Sequence, residues 1–314
     1  MPFSFRRHCL RYKSVLIRIV FAAALAGLFP ATTLAADYLS LETEHFTIRY
    51  VREQEKLALA AAGVAEEAHA GIAAFLGTQP RRRIEIAIAP DRAEFRRLSG
   101  GLIPDWGIGL AIPSHRRIVI TSPAAAPARI NLEEIVTHEV AHVLLAMALP
   151  GQPLPRWFDE GHAMFHARQW RMGESTRILW ALVARTLIPL AELTRSFPHG
   201  RTSAELAYIE SYTTIQFLVK TGGPGAFQEF VRKATEYGDF EAAMIEIYGL
   251  NLQQFEMAWR VYLKDRYSWV VVLQVLLTIP GIFTVLFLAA YLRKRYRAKK
   301  KMEAWEEEER IFRL

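Results

Sequence analysis

Cysteine is all but missing: Cys9 is the only one in 314 residues. It lies in a segment expected to be removed, so the mature chain has neither a disulfide nor a cysteine nucleophile. A basic face is missing as well. The formal charge is +7, yet it sits at the two ends. The first 36 residues carry Arg6, Arg7, Arg11, Lys13 and Arg18 with no acid, and residues 293–314 hold nine Lys/Arg against five Glu. The remainder is slightly negative, which argues against nucleic acid as a partner. Internal repeats and low-complexity linkers are also absent. Residues 37–268 therefore read as one large domain or two close lobes.

Both ends read as targeting devices. Residues 1–36 have a basic start, an apolar run over 19–29 and a small-residue cleavage site at Thr33-Leu34-Ala35, the pattern of a secretory signal peptide. An uncleaved anchor is the competing reading. Residues 269–292 contain no charge. As a helix they would run about 36 Å, enough to cross a bilayer with some tilt. Trp269 and Tyr291 mark its edges, as amphipathic rings do at an interface. The basic run after it, from Arg293 to Lys301, marks the cytoplasmic side. The expected layout is a signal peptide (1–36), an extracytoplasmic domain (37–268), one transmembrane helix (269–292) and a cytoplasmic tail (293–314). The chain would then be a single-pass protein of the cell membrane with its domain on the periplasmic side of a bacterial inner membrane.

Within the domain, strand-like alternation at 45–51 precedes an Ala-rich helix over 53–76 that stops at Gly77. Ile84-Glu85-Ile86-Ala87-Ile88 alternates as a half-buried strand. Asp91 caps a short helix through Leu98. Residues 107–112 and 117–121 read as strands joined by a hairpin at 113–116. After Pro127 apolar residues recur at three- and four-residue spacing. The fold class is thus α+β, a sheet-containing part over 37–127 followed by a helical part over 128–268.

The helix over 130–149 contains His138-Glu139-Val140-Ala141-His142. A four-residue step is slightly more than one turn, so the two imidazoles stack on one face about 6 Å apart along the axis. Such a pair can hold a zinc ion, while Glu139, rotated around the helix, reaches a water beside it and serves as general base in attack on a carbonyl. A catalytic zinc needs a third protein ligand and an open position. Eighteen residues after His142 stands Glu160, within Trp157-Phe158-Asp159-Glu160-Gly161-His162-Ala163. The Pro- and Gly-rich break over 149–155 lets that helix double back. Gly161 leaves room where two helices meet.

The pairing of HEVAH with WFDEGHA resembles the gluzincin zinc metallopeptidases, including the peptidase MA-like group and aminopeptidases whose second motif reads WLNEGFA. The resemblance implies a thermolysin-like catalytic domain, Zn2+ bound by His138, His142 and Glu160, and Glu139 as base. Residues 207–218 are similar to the Tyr-x-x-Gly segment of the aminopeptidases, where the tyrosine stabilises the oxyanion. That match names Tyr208, with Tyr212 as rival and Ser211 where the family often has Gly. A Gly-x-Met-Glu-Asn strand, which holds the substrate's free amine in exopeptidases of the clan, is missing. The strand over 107–112 has no acid and would take an extended peptide by strand addition. The expected function is a membrane-anchored zinc metallopeptidase acting as an endopeptidase on peptide or protein substrates. The alternative is a catalytically silent copy acting as a tethered binding or assembly factor. Among other residues, Asp159 is a candidate for orienting a ligand imidazole. His162 is expected to point away from the metal, at the surface or behind the ligands, and Arg156 to meet a substrate carboxylate or a surface acid.

Overall fold

The computed structural model describes residues 37–101, 108–122, 131–171 and 173–312. The leader read over 1–36 and the change of character at Pro127 lie outside them.

Five strands form one mixed sheet in the order β1-β2-β3-β5-β4. They are β1 (Leu39–Glu42), β2 (Phe46–Tyr50), β3 (Ile84–Ala89), β4 (Gly109–Ile112) and β5 (Arg117–Thr121). The inner pairs β2–β3 and β3–β5 are parallel, and the outer pairs β1–β2 and β5–β4 are antiparallel. Each parallel step is bridged by a crossover, first α1 (Glu55–Leu76) and then a segment containing α2 (Arg92–Leu98), as parallel neighbours require. Alternation decides which helices cover which face. Ile84, Ile86, Ile88, Ile118 and Ile120 join the main core with α1. Ala89 and Val119 face the other way and meet Phe95 of α2. Local punctuation follows the sequence. Gly77 closes α1 in the left-handed region at φ 68°, and the Asp91 side chain accepts from the Glu94 amide at 2.8 Å to open α2. Strand β1 was not expected from the sequence. Its four residues are an edge strand that only its register with β2 defines.

The helical part begins with α3 (Leu132–Ala148) and α4 (Arg156–His166). Asn131 caps α3 by accepting from the Glu133 amide at 3.1 Å. Leu149, Pro150 and Gly151 end it, with Gly151 at φ 74°. Next come α5 (Glu174–Ala184), α6 (Arg201–Tyr237), α7 (Phe240–Tyr248) and α8 (Leu252–Phe312). Helix α6 is broken at Gly223, where φ is 72° and Pro224 follows.

Helix α4 is the hub. Its Trp157 and Phe158 are fully buried in an aromatic cluster with Phe227, Phe230, Phe240 and Phe255. One turn on, Gly161 lies against α6 so closely that a Cβ there would stand 2.2 Å from the Ser211 carbonyl oxygen. Ser211, small and fully buried, returns its own hydroxyl to the Ala207 carbonyl at 2.7 Å.

Two acids staple the loop between α5 and α6. Glu210 accepts from the Ile188 amide at 3.1 Å, and Glu256 from the Leu190 amide at 3.0 Å. Glu210 is fully buried. Burial pushes its pKa up to about 8, against the milder opposing pull of the Ile188 amide and of Arg260.

Among the described residues one stretch, Arg52–Leu76, is long and apolar enough to cross a membrane by length and composition. Its Ala58, Ala61, Ala65 and Ile72 are buried in the core of the domain. Helix α8 runs 61 residues through the segment read as a span, with Pro280 inside it. Past that proline Ile282, Phe283, Val285, Leu286 and Phe287 are all exposed.

Two outcomes follow from these contacts. Gly161→Ala forces a methyl into backbone and should cost about 3 kcal/mol, the upper end for overpacking, read as a drop in the thermal unfolding midpoint by circular dichroism. The folded chain holds the Glu210 proton up to about pH 8, whereas an unfolded chain loses it near the ordinary carboxylate value. This acid therefore favours folding least above pH 8, and its contribution declines as pH rises through that window. Glu210→Gln should stabilise the protein by about 2–3 kcal/mol at neutral pH and have no such benefit near pH 4, measured by denaturant titration at both pH values.

Candidate metal centre

Three helices and one strand edge build the site. On α3, Val136, Val140, Val143 and Leu144 are buried in the core, which turns His138 and His142 toward α4. On α4, the turn that buries Trp157 and Phe158 leaves Asp159 and Glu160 facing those histidines. The two imidazole Nε2 atoms stand 3.1 Å apart. Glu160 Oε2 lies 3.7 Å from the His138 Nε2 and 3.8 Å from the His142 Nε2. Among the described residues this trio is the group that could hold a metal ion.

These separations fit zinc. Tetrahedral ligands at zinc–nitrogen or zinc–oxygen bond length stand about 3.3 Å from one another, inside the observed span. The donor set fits too, because two neutral imidazoles and a carboxylate are zinc ligands of borderline softness. The outer ring nitrogens are also engaged. His142 Nδ1 donates to Asp159 Oδ1 at 2.7 Å, and His138 Nδ1 donates to Gln169 Oε1 at 3.1 Å. A proton held at each Nδ1 leaves each Nε2 lone pair aimed inward.

Charge in the cleft is finely opposed. Burial disfavours a charged His142, but the carboxylates of Asp159, Glu160 and Glu139 outweigh it and raise its pKa to about 10. Burial likewise disfavours a charged Glu160, but the neighbouring His138, His142 and Arg156 hold it down at about 2. Glu139 behaves differently. Burial dominates there and moves its carboxyl above the usual range, despite the two histidines.

Strand β4 is an edge of the sheet, and it lies over Glu139. The Thr121 amide donates to the Ile108 carbonyl at 2.9 Å, so the alternate residues Gly109 and Ala111 turn their backbone groups to the open edge. The Ala111 amide hydrogen-bonds the Glu139 carboxylate. A Cβ on Gly109 would stand 2.6 Å from Glu139 Oε1. A side chain at 109 would force the Glu139 carboxyl to shift.

The two tyrosines part company. Tyr208 feels the charges of Glu160, Arg156 and Glu139 and packs edge-on against Phe197. Tyr212 stacks on Trp170 at 4.9 Å and lines a separate cavity of about 900 Å³ between α6 and α8 with Gln216, Lys220 and Tyr262. None of the metal trio lines that cavity. His162 is not at the surface as one expectation had it. It is fully buried and set among Phe75, Phe227 and His166, because it shares the core-facing side of α4 with Phe158. Gln169 escaped the sequence reading. It lies just past α4, and only the return of the chain past α3 brings it to His138. His45 and His69 stack on each other at 3.8 Å.

The family model of the peptidase MA superfamily matches residues 64–265. No curated protein matches the chain. Among solved structures, a two-domain M1 zinc metallopeptidase variant bound to L-arginine is similar at 15% identity and TM-score 0.44, over 71% of this chain and 51% of that one. An M1 zinc metallopeptidase from Deinococcus radiodurans is similar at 17% identity and TM-score 0.36, over 72% and 50%. The chain spans about half the length of each.

The Asp159 contact predicts a loss of metal affinity of about tenfold or more in Asp159→Ala, the usual effect of removing a carboxylate behind a ligand histidine. Competition with a chelator of known affinity measures it, and wild-type affinity in the variant would show that Asp159 orients nothing.

Proposed function

The chain belongs to the peptidase MA superfamily, and from that membership and the metal centre we propose that it is a membrane-anchored zinc metallopeptidase cleaving internal peptide bonds. The observation that carries the proposal is the convergence of His138 Nε2, His142 Nε2 and Glu160 Oε2 from two helices beside the buried carboxyl of Glu139. Zinc held by those three groups would supply Lewis acidity and a water of lowered pKa.

The remaining chemistry belongs to the chain itself. An extended peptide lies along the open edge of β4 and pairs with the outward backbone of Gly109 and Ala111. Glu139 takes a proton from water as the scissile carbonyl is attacked and delivers it to the leaving amine. A base that must also act as acid works best with its pKa raised toward the working pH, the direction in which burial moves this carboxyl. The Tyr208 hydroxyl donates to the carbonyl oxygen as negative charge builds on it. Asp159 and Gln169 keep both imidazoles in the tautomer that presents Nε2.

Endopeptidase action is supported by the composition of β4, which reads Gly-Leu-Ala-Ile and offers no acid to hold a free amine. Anchoring is supported by the uncharged stretch over 269–292, the basic run that follows it and the exposed apolar side chains of α8. The domain then faces the periplasm, with the C-terminus in the cytoplasm.

Elemental analysis of the full chain, purified in detergent without chelator, should find about one zinc per chain, in keeping with a three-ligand catalytic site, and Glu160→Ala should lose it. Glu139→Gln should keep the zinc and lose about a thousandfold in turnover, followed by mass spectrometry on a peptide library. Absence of zinc from the wild-type chain would sink the peptidase reading. A biological role that survived Glu139→Gln would instead favour a silent binding factor.

A further inference from the structure

Glu160 divides its two oxygens. Oε2 faces the two imidazoles at 3.7 and 3.8 Å, while Oε1 accepts from Arg156 Nη2 at 3.3 Å, one turn back on the same helix. Ordinarily an i,i+4 ion pair is worth little, since two mobile side chains in water gain almost nothing by meeting. This pair differs on both sides. The Glu160 side chain is only 13% exposed. The Arg156 guanidinium is seated over the Phe197 ring, 4.9 Å from its centroid, which restrains it in place. That same ring carries Tyr208 edge-on at 4.9 Å, and the charge of Arg156 acts on the Tyr208 phenol. Phe197 thus holds together the cation and the phenol, and the cation holds the outer oxygen of the carboxylate.

We propose that Arg156 is a positioning residue of the metal centre: it occupies Glu160 Oε1 so that the carboxylate offers the metal Oε2 alone, and it joins Tyr208 to the same network. The proposal rests on the zinc-site reading and deepens it. Its chemical logic is coordination number. A carboxylate free to turn both oxygens to a metal takes two positions, and the position lost is the one that water and substrate carbonyl need. A planar guanidinium suits the task, because its edge can meet a carboxylate oxygen while its face lies on an aromatic ring. Lysine has the charge but neither the edge nor the face.

The test uses the full chain in detergent, wild type beside Arg156→Gln and Arg156→Lys, loaded with Zn2+ and separately with Co2+. Chelator competition gives the zinc affinity, and the visible absorption of the cobalt form reports coordination number, since added ligands weaken its bands. The expected result is about a tenfold loss of zinc affinity in Arg156→Gln, with cobalt bands weakened toward a higher coordination number. Arg156→Lys should recover part of the affinity and little of the spectrum. Near-ultraviolet circular dichroism of the metal-free proteins confirms that the variants are folded, and Arg156→Lys serves should Arg156→Gln fail that check. A wild-type chain that binds neither metal overturns the zinc site itself, and the role of Arg156 with it. A wild-type chain that binds both metals, with affinity and spectrum unchanged in the variants, overturns the role of Arg156 alone, whatever happens to turnover.

Discussion

Everything at the metal centre depends on how closely α4 can lie against α6. Gly161 is the point of closest approach, with the Ser211 carbonyl where its side chain would begin. That contact fixes the depth at which α4 sits, and the burial of Trp157 and Phe158 on the same helix fixes its rotation. Depth and rotation together decide where Glu160 Oε2 falls relative to two nitrogens on another helix. Displacing α4 by the width of a methyl group would take the carboxylate out of ligand range, because ligand separations tolerate only a few tenths of an ångström. A packing constraint some residues from the chemistry thereby sets the geometry of the chemistry.

The second constraint is electrostatic. Two carboxylates, Glu139 and Glu160, share a largely buried cleft with two imidazoles, and burial alone would favour their neutral forms. Each is settled by its own neighbours. Glu160 keeps its charge through His138, His142 and Arg156. Asp159 is more exposed and receives the Nδ1 proton of His142. Glu139 has the Ala111 amide and the histidines for company, yet is pushed toward its protonated form. Glu160 of the second motif and Glu139 of the first thus acquire opposite characters. A site meant to bind a cation and to move a proton needs both kinds of carboxylate within a few ångströms. The small residue on β4 belongs to the same design, since a side chain at Gly109 would displace the Glu139 carboxyl.

How much of this was legible beforehand varies with the range of the interaction. The helix carrying the histidine pair, the stop near Pro150, the Asp91 cap and the Gly77 end are local features, and local chemistry declares them. Strand β1 was invisible because four residues have too little pattern, and its identity comes from pairing with β2. The choice between Tyr208 and Tyr212 was open for a related reason. One turn apart on a helix, they differ only in what the rest of the fold brings to each: Phe197 and Arg156 to one, Trp170 and a separate cavity to the other. His162 was left between the surface and a place behind the ligands, and the core-facing side of α4 carries it inward among aromatic rings.

By itself, then, the sequence determined the donor types, the helical spacing that stacks His138 over His142, the break that lets a second helix return, and the small residue at 161 that permits close approach. Those are set by covalent spacing, helical period and side-chain size, which need no distant partner. Only the tertiary structure decided that Gln169 supports His138, that β4 covers Glu139, and that Arg156 takes the outer oxygen of Glu160. Each of these joins groups from different turns or elements, and such meetings depend on the angle and depth of packing, which no single segment encodes.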